Sequence, residues 1–277
     1  MSSKRKATTI AFQGERGAYS EVAVYEFFGK DSEARPYRAL PEVFNALEKH
    51  QIGYAVVPIE NSTEGSVTET YDLLLKSNLK VCKELNLRVV HCLISLPSVS
   101  MDEVKVVYSH PQALAQCRTY LQNHGFRTLS TYDTAGSVKL LKEQNLRDAA
   151  AIASKYAAEV YSMRILEKGI EDNRNNYTRF FVLSENDAEP SGDDKTSIIF
   201  SAPHLAGSLY SVLKEFADRK INLTKIESRP TRQKAWEYYF YLDFEGHRTD
   251  KVCQDVIERV SSKCQFVKVL GSYPKAR

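Results

Sequence analysis

The sequence predicts an α/β fold with two α/β lobes, followed by a smaller α+β domain. Three observations support this prediction. Strand-like and helical runs alternate as far as Leu183, which is typical of parallel α/β folds. The stretch from Ser184 to Lys195 contains Pro190, Gly192 and several acids without an apolar period, which is a linker composition. After it, the runs follow the order βαββαβ of a ferredoxin-like domain.

The first lobe is predicted from three strand-like runs, each followed by a helical run. These pairs cover residues 8–12 and 20–28, 35–38 and 41–49, and 54–59 and 67–76. Residues 80–96 are apolar and β-branched without a helical period, so we expect extended strands that lead into the second lobe.

The second lobe repeats the alternation, and its closing strand is expected to return to the first lobe. The predicted strands are 104–108, 128–132, 149–153 and 178–183, and the predicted helices are 112–122, 135–144 and 154–161. Two α/β lobes joined by crossing strands form a cleft, and open α/β sheets bind ligands outside the carboxyl ends of their strands. We therefore expect the functional site in this cleft.

The small domain is predicted from four strands, 196–202, 222–227, 236–244 and 266–271, and two helices, 207–220 and 251–263. The predicted limits are 7–184 for the two-lobed domain, 185–195 for the linker and 196–277 for the small domain.

Composition and charge exclude several classes of protein. With 43% hydrophobic and 26% charged residues, the 277-residue chain has an ordinary globular composition. Its 38 basic and 35 acidic residues are interleaved, so the sequence has no basic stripe of the kind that binds nucleic acid. No apolar segment is long enough for a signal peptide or a membrane span. We expect a cytoplasmic protein with neither nucleic acid nor membrane as partner.

Motifs for metals and common cofactors are missing from the sequence. The five cysteines are odd in number and have no CxxC spacing, which argues against a zinc site or a disulfide framework. GxxxxGK[ST], HExxH and GxSxG do not occur. We expect no metal and no cofactor, and any chemistry must come from polar, mostly neutral side chains.

Polar side chains cluster where predicted strands end and helices begin. Several helix N termini around one cleft favour a small dianion, because backbone N–H groups and helix dipoles point at it. Each loop alone also fits ordinary helix capping, and His110 fits a packed or capping histidine. The candidates in these loops are Ser20, Asn61, Ser62, Ser109, Gln112, Gln116 and Thr134.

Residues 175–181, NNYTRFF, bring a hydroxyl, a guanidinium and an aromatic ring to the start of a strand. Side-chain alternation places Thr178 and Phe180 on one face and Arg179 on the other. The alternative interpretation of this segment is an ordinary strand edge, which can have the same composition.

Five motifs in order resemble those of the prephenate dehydratases. They are GERGAYS at 14–20, PIENSTEGSV at 58–67, SHPQALAQC at 109–117, TRF at 178–180 and NLTKIESRP at 222–230, the last resembling the phenylalanine-binding ACT domain. The resemblance implies a two-lobed, periplasmic-binding-protein-like catalytic domain with an ACT domain after it. It also implies an enzyme of phenylalanine biosynthesis, a hydro-lyase that removes water and carbon dioxide from prephenate to give phenylpyruvate.

The resemblance also assigns roles to residues of the cleft. Thr178 is expected to donate a proton to the departing hydroxyl, Arg179 to hold a substrate carboxylate and Phe180 to pack at the substrate ring. The candidates of the strand-to-helix loops would orient the substrate through neutral hydrogen bonds. The chain departs from the family pattern at Glu15 and Ala18 in the first motif.

In the small domain, the segments 205–210 and 227–230 resemble those that meet across a dimer interface and enclose free phenylalanine. This implies feedback regulation by L-phenylalanine and a homodimer or homotetramer. Ala206 and Ser208 depart from the family pattern, and a small domain that only dimerises is the alternative. The residues expected at the effector are Gly207, Leu209, Asn222, Glu227, Ser228, Arg229 and Pro230.

Two other functions fit the sequence. An arogenate dehydratase would act on an ammonium-bearing substrate in place of the ketone, and Glu64 or Asp133 could favour that ammonium. A non-enzymatic amino-acid sensor would also have two lobes and a small sensing domain. We expect no chorismate mutase domain, because that would need a long helical segment before Thr8.

Overall fold

The computed structural model describes residues 9–232 and 236–276. The predicted strand start at Thr8 and the predicted domain limits at 7 and 277 lie outside the described residues. The chain forms two compact units. The first contains residues 9–70 and 85–180, and the second contains 71–84 with the described residues from 181 onward. The limits of the catalytic domain, linker and small domain themselves remain predictions.

The first lobe has a mainly parallel sheet with strand order β2-β1-β3-β11-β5 and the short β4 beside β3. Residues 10–12 and 55–57 of two neighbouring parallel strands are almost completely buried, as expected for a sheet covered on both faces. Its elements are β1 (Thr9–Gln13), α1 (Tyr19–Phe28), β2 (Glu33–Tyr37), α2 (Leu40–Glu48), β3 (Tyr54–Asn61), β4 (Gly65–Ser66), α3 (Thr68–Lys76) and β5 (Lys80–Arg88).

The second lobe continues from β5, and its last strand, β11, returns to the first sheet as predicted. Both β5 and β11 contain the boundary between the two units. The elements are β6 (Cys92–Ser95), β7 (Val106–Ser109), α4 (Pro111–Gln116), α5 (Arg118–Asn123), β8 (Arg127–Ser130), α6 (Thr134–Gln144), β9 (Ala149–Ala153), α7 (Lys155–Tyr161), β10 (Arg164–Lys168) and β11 (Tyr177–Ser184).

The second lobe differs from the sequence prediction in three details. Its sheet, β10-β6-β9-β7-β8, is mixed, because β6 runs antiparallel to both β9 and β10. The strand β10 was not predicted, since it is a short, mostly exposed and charged edge strand. The helix predicted over 112–122 is two helices that meet at Cys117, which leaves the helical region at φ −114° and is fully buried.

The second unit has the predicted ferredoxin-like order, confirmed by an antiparallel sheet β13-β14-β12-β15. Both helices pack on one face of this sheet around Phe200, Phe216 and Phe244. The elements are β12 (Asp194–Ser201), α8 (Ser208–Asp218), β13 (Leu223–Pro230), β14 (Tyr238–Glu245), α9 (Lys251–Lys263) and β15 (Phe266–Pro274).

The other face of this sheet contacts the end of α3 within the same unit. The rings of Tyr71 and Tyr241 lie 4.5 Å apart, edge to face. Lys268 Nζ donates to the carbonyls of Leu74 and Leu75, each at 2.9 Å, and so binds the negative end of the α3 dipole. No helix within the described ranges is long and apolar enough to cross a membrane.

Candidate active site

A cleft between the two lobes of the first unit collects side chains from strand ends and helix starts, as the sequence predicted. Asn61 ends β3, Tyr19 and Thr134 begin α1 and α6, and Thr178 lies near the start of β11. The lining residues are Tyr19, Asn61, Val89, His91, His110, Gln112, Ala113, Gln116, Thr134 and Thr178. Five of the ten catalytic or substrate-binding residues predicted from the sequence are therefore brought together here.

Asn61 is hydrogen-bonded to the hydroxyl of Thr178. Its Nδ2 donates to Thr178 Oγ1 at 3.0 Å, while its Oδ1 accepts from the backbone N–H groups of Thr63 at 3.0 Å and Glu64 at 3.1 Å. Because backbone N–H groups can only donate, they fix the orientation of the Asn61 amide. The Thr178 oxygen is thus an acceptor, and its own proton is available to another partner.

Four side chains form a closed hydrogen-bonded ring beside Thr178, which we call the amide ring: Asn61, Thr63, Gln116 and Asn176. Asn61 Nδ2 donates to Asn176 Oδ1 at 2.8 Å, and Asn176 Nδ2 donates to Gln116 Oε1 at 3.0 Å. Gln116 Nε2 donates to Thr63 Oγ1 at 3.0 Å, and Thr63 Oγ1 donates to Asn61 Oδ1 at 2.6 Å. The ring joins the first lobe, the second lobe and the loop before β11.

His91 and Tyr19 line the cleft and were not predicted from the sequence. His91 Nε2 lies 2.9 Å from Gln116 Oε1, and its Nδ1 lies 3.1 Å from the Tyr19 hydroxyl. Burial lowers the pKa of His91 and raises the pKa of Tyr19 well above its usual range. The sequence gives no reason to single out His91, because a lone histidine in an apolar run is typical of a packed side chain. Tyr19 lies within the GERGAYS motif, but the resemblance assigns it no role.

The other predicted residues lie outside this cleft lining. Ser109 is fully buried and donates to the Ile152 carbonyl at 2.7 Å. Ser62 donates to the Asn175 carbonyl at 2.9 Å. Ser20 is buried in the first turn of α1, Phe180 is 1% exposed, and Arg179 is half-buried between Thr178 and Phe180 in β11.

The two acids considered for an ammonium also lie outside the cleft lining. Asp133 accepts from the Gly136 N–H at 2.8 Å as the N-cap of α6, and burial raises its pKa. Glu64 lines a neighbouring pocket together with Asp172.

The loop after β1 contacts the second lobe directly. Glu15 accepts hydrogen bonds from Tyr132 at 2.9 Å and Lys139 at 3.1 Å. Burial alone would raise the pKa of Glu15, but these two partners lower it. Gly17 has φ +91°, and its carbonyl accepts from Ser154 Oγ at 2.6 Å.

In the second unit, β13 presents the predicted effector residues on both faces of the sheet. Ser228 pairs with Phe240, which packs against the helix-side core, whereas Arg229 pairs with Tyr239 on the opposite face. Arg229 Nη2 lies 3.6 Å from Asp72 Oδ1. Arg229 and Pro230 line a cavity with Tyr241, and Leu209 lines a separate one with Phe240.

Two other predicted effector residues occupy turns. Gly207 adopts φ +81° as the N-cap of α8, a conformation that favours glycine. Asn222 is exposed just before β13, and its backbone carbonyl accepts from the Glu245 N–H at 3.0 Å. Glu227 lies 3.2 Å from Lys225 Nζ.

Comparison with known proteins identifies the family of this chain. Residues 10–188 match the family model described as prephenate dehydratase, and residues 196–260 match the ACT domain. The chain belongs to the prephenate dehydratase family. It is thus an enzyme of the hydro-lyase class, with an ACT domain after the catalytic domain, and the fold class predicted from the sequence is confirmed.

Relatives across the family cover most of the chain. The bifunctional chorismate mutase/prephenate dehydratase of Aquifex aeolicus is 39% identical over 99% of this chain and 75% of its own length. The arogenate dehydratase/prephenate dehydratase 2 of Arabidopsis thaliana is 42% identical over 96% of this chain and 72% of its own length. The solved structure of prephenate dehydratase from Arthrobacter aurescens in complex with L-Phe has a TM-score of 0.89 and 30% identity, covering 96% of this chain and 90% of that one.

Proposed function

We propose that this enzyme converts prephenate to phenylpyruvate in the cleft, with Thr178 as the proton donor, under feedback control by L-phenylalanine. The hydrogen bond from Asn61 Nδ2 to Thr178 Oγ1 is the observation that supports the role of Thr178. It occupies a lone pair of the hydroxyl oxygen and leaves the proton for the substrate.

The reaction needs no strong base. When the bond between the ring and its carboxylate breaks, carbon dioxide leaves, and the released electron pair completes the aromatic ring as the carbon–oxygen bond opposite breaks. The departing hydroxyl takes the Thr178 proton and becomes water. The Asn61 amide then faces a more negative Thr178 oxygen, so it stabilises the transition state more than the ground state until solvent returns the proton.

The cleft suits a substrate with two carboxylates and a ketone. Tyr19 and Thr134 begin α1 and α6, so the positive ends of two helix dipoles lie at the cleft. Among the described side chains that line it, none is a carboxylate. This composition favours the ketone of prephenate over the ammonium of arogenate. Arg179 is proposed to hold one carboxylate, and Phe180 to contact the ring once substrate is bound.

The seven predicted substrate-binding residues divide into two groups. Asn61, Gln112, Gln116 and Thr134 line the cleft and are proposed to contact substrate. Ser20, Ser62 and Ser109 are proposed to support the cleft, since the hydroxyls of Ser62 and Ser109 donate to backbone carbonyls.

Arogenate is the second candidate substrate, because a 42% identical relative carries both activities in its name. Glu64 is the acid best placed to serve an ammonium, since its pocket shares Gln116 with the cleft.

L-Phenylalanine is proposed as effector on the strength of the ACT match and of the complex described for the Arthrobacter aurescens relative. The proposed contacts are Leu209 and Gly207 at the start of α8, with Asn222 and Ser228 on the adjoining strand region. The proposed assembly is a homodimer or homotetramer, and the proposed location is the cytoplasm.

Arg229 offers a route from effector to catalysis. It contacts Asp72 on the face of β13 opposite Ser228, and Asp72 belongs to α3, which follows the Asn61 loop in the chain. An effector that shifts β13 would therefore act on a helix directly connected to the amide ring.

The test is an assay of purified protein with prephenate, followed by phenylpyruvate absorbance in alkali, and with arogenate, followed by phenylalanine release. We expect the higher kcat/KM for prephenate and inhibition by added L-phenylalanine. Turnover of arogenate alone would replace the proposed substrate, and turnover of neither would contradict the proposed function.

A further inference from the structure

We propose that His91 is a positioning residue for the reaction: its Nε2–H holds Gln116 in the amide ring and thereby supports the Asn61 amide that leaves the Thr178 proton for the cleft. This inference rests on the proposed role of Thr178. His91 itself is separated from Thr178 by the residues of the amide ring, so it acts through them.

The direction of each hydrogen bond in the ring follows from groups that cannot rotate. The backbone N–H groups of Thr63 and Glu64 both donate to Asn61 Oδ1, so Asn61 must present Nδ2 to Asn176 and to Thr178. Asn176 therefore accepts with Oδ1 and donates with Nδ2 to Gln116 Oε1. Gln116 in turn must donate through Nε2 to Thr63.

The same logic determines which nitrogen of His91 carries the proton. Gln116 Oε1 can only accept, so the His91 nitrogen at 2.9 Å must be Nε2–H. In the neutral imidazole Nδ1 then carries no proton, and the Tyr19 hydroxyl lies 3.1 Å from it while donating to the Val90 carbonyl at 2.8 Å. The donors from His91 through Gln116 and Thr63 to Asn61 thus point in one sense, and polarisation along such a chain is cooperative.

His91 is held rigidly enough for this role. Its side chain is almost completely buried, with the residue 2% exposed, and its ring packs edge to face on Tyr19 at 5.7 Å. Its backbone N–H donates to Glu171 Oε2 at 2.9 Å, and its carbonyl accepts from the Gly169 N–H at 2.8 Å. Both partners belong to the segment between β10 and β11 that precedes Thr178 in the chain.

Removal of the Nε2–H would free Gln116 Oε1 from its contact in the second lobe. Gln116 would then be held by Asn176 and Thr63 alone, so its side chain would be less firmly placed and the amide ring would hold Asn61 Nδ2 less firmly toward Thr178. The stabilisation that is lost acts mainly on the transition state, because Thr178 donates its proton there.

The first test compares His91→Leu with His91→Gln, whose side-chain amide places an N–H close to the Nε2 position. We expect His91→Leu to lower kcat about tenfold, the effect of one lost buried hydrogen bond, with KM changed less than about threefold. His91→Gln should recover most of that loss. Equal impairment of the two variants, or unchanged kcat in His91→Leu, would overturn the proposal.

A double variant separates positioning from mere structural support. If His91 acts through the Thr178 proton, His91→Leu should cost little further in a Thr178→Val background, so the two effects are not additive. Full additivity would overturn the proposal.

The third test needs neither turnover nor a folded His91→Leu protein. The ¹⁵N shifts of the His91 ring in ¹⁵N-histidine-labelled wild-type protein, assigned by their loss in His91→Gln, should report the Nε2–H form at neutral pH. The Nδ1–H form would overturn the proposal. If the wild-type protein shows the Nε2–H form of His91 but does not turn over prephenate, the proposed function fails. The geometry of the amide ring would still be supported by that result.

Discussion

The amide nitrogen of Asn61 donates to the hydroxyl oxygen of Thr178 at 3.0 Å, across 117 positions of the chain. This bond joins the end of β3 to the start of β11, two strands that lie side by side in the first sheet. The end of β3 and the start of β11 meet at the same edge of this sheet, where the Ser62 N–H also donates to the Tyr177 carbonyl at 2.8 Å, so sheet topology creates the contact.

Asn61→Asp should lower kcat about a hundredfold, which is typical for loss of one preorganised donor. The carboxylate keeps the acceptor for the Thr63 and Glu64 N–H groups but loses the donor toward Thr178. Steady-state kinetics on prephenate give the value, with Asn123→Asp on the exposed end of α5 as the matched control. Equal kcat in the two variants would contradict this role.

Gly17→Ala should destabilise the protein by about 2 kcal/mol or more, because a Cβ at φ +91° would lie 2.6 Å from the Ala157 backbone in the second lobe. Gly125→Ala is the control: Gly125 has φ +67° with no atom within 4 Å of its Cβ position. Denaturant unfolding should show a larger loss for Gly17→Ala, and KM for prephenate should also rise. Similar losses of stability in both variants would mean that backbone strain at positive φ, and not the clash with Ala157, causes the destabilisation.

Asp72→Asn should weaken inhibition by L-phenylalanine while leaving activity without effector unchanged. The substitution removes the charge that Arg229 and Arg232 contact at 3.6 and 3.7 Å. We expect at least a threefold higher half-inhibitory concentration or a smaller maximal inhibition, as for a coupling free energy of the order of 1 kcal/mol. Inhibition curves measure this against Asp102→Asn, and coincident curves would contradict the coupling route.

Stability should fall as the pH drops below about 6.5 in a way that depends on His91. Burial lowers the pKa of His91 from 6.5, so between its folded pKa and 6.5 the unfolded chain binds one more proton than the folded chain. The contribution of neutral His91 to the free energy of unfolding is therefore complete above pH 6.5. It is lost as the pH falls toward the folded pKa, by up to about 1.4 kcal/mol per pH unit. Urea unfolding from pH 8 to 5 should give a shallower acid slope for His91→Gln. Parallel slopes would mean that His91 titrates normally.

The periodicity of the sequence predicted the fold well because most elements bury one regular face or a continuous apolar run. The buried AVV of β3 and the alternation of half-buried and exposed residues along β13 are examples. The edge strand β10 escaped prediction because its RILEK sequence has no buried face to impose a pattern. The break at Cys117 has no sequence mark, since neither Gly nor Pro causes it.

Part of the site could also be predicted, because the position of a residue in the predicted elements indicates whether it lies near the cleft. Asn61 lies at a strand end, Thr178 near a strand start, and Gln116 at the end of the short helix that follows β7; the fold class directs such loop-proximal polar residues to a cleft. His91 comes from an apolar crossing segment, and its role depends on the Gln116 amide, 25 positions away in the chain. Such a partner can be found only from coordinates. Ser109 looked equivalent to Gln112, but strand alternation turns its hydroxyl toward the Ile152 carbonyl.

The most direct test of the account is the turnover of prephenate by Thr178→Val and Thr178→Ser beside the wild-type enzyme. Valine keeps the shape but has no proton to donate, whereas serine keeps the hydroxyl that Asn61 contacts. We predict that Thr178→Val, like Thr178→Ala, loses at least about a hundredfold in kcat, the lower range for a positioned acid, and that Thr178→Ser retains most of its activity. Wild-type turnover by folded Thr178→Val would contradict the central claim that this hydroxyl protonates the leaving group.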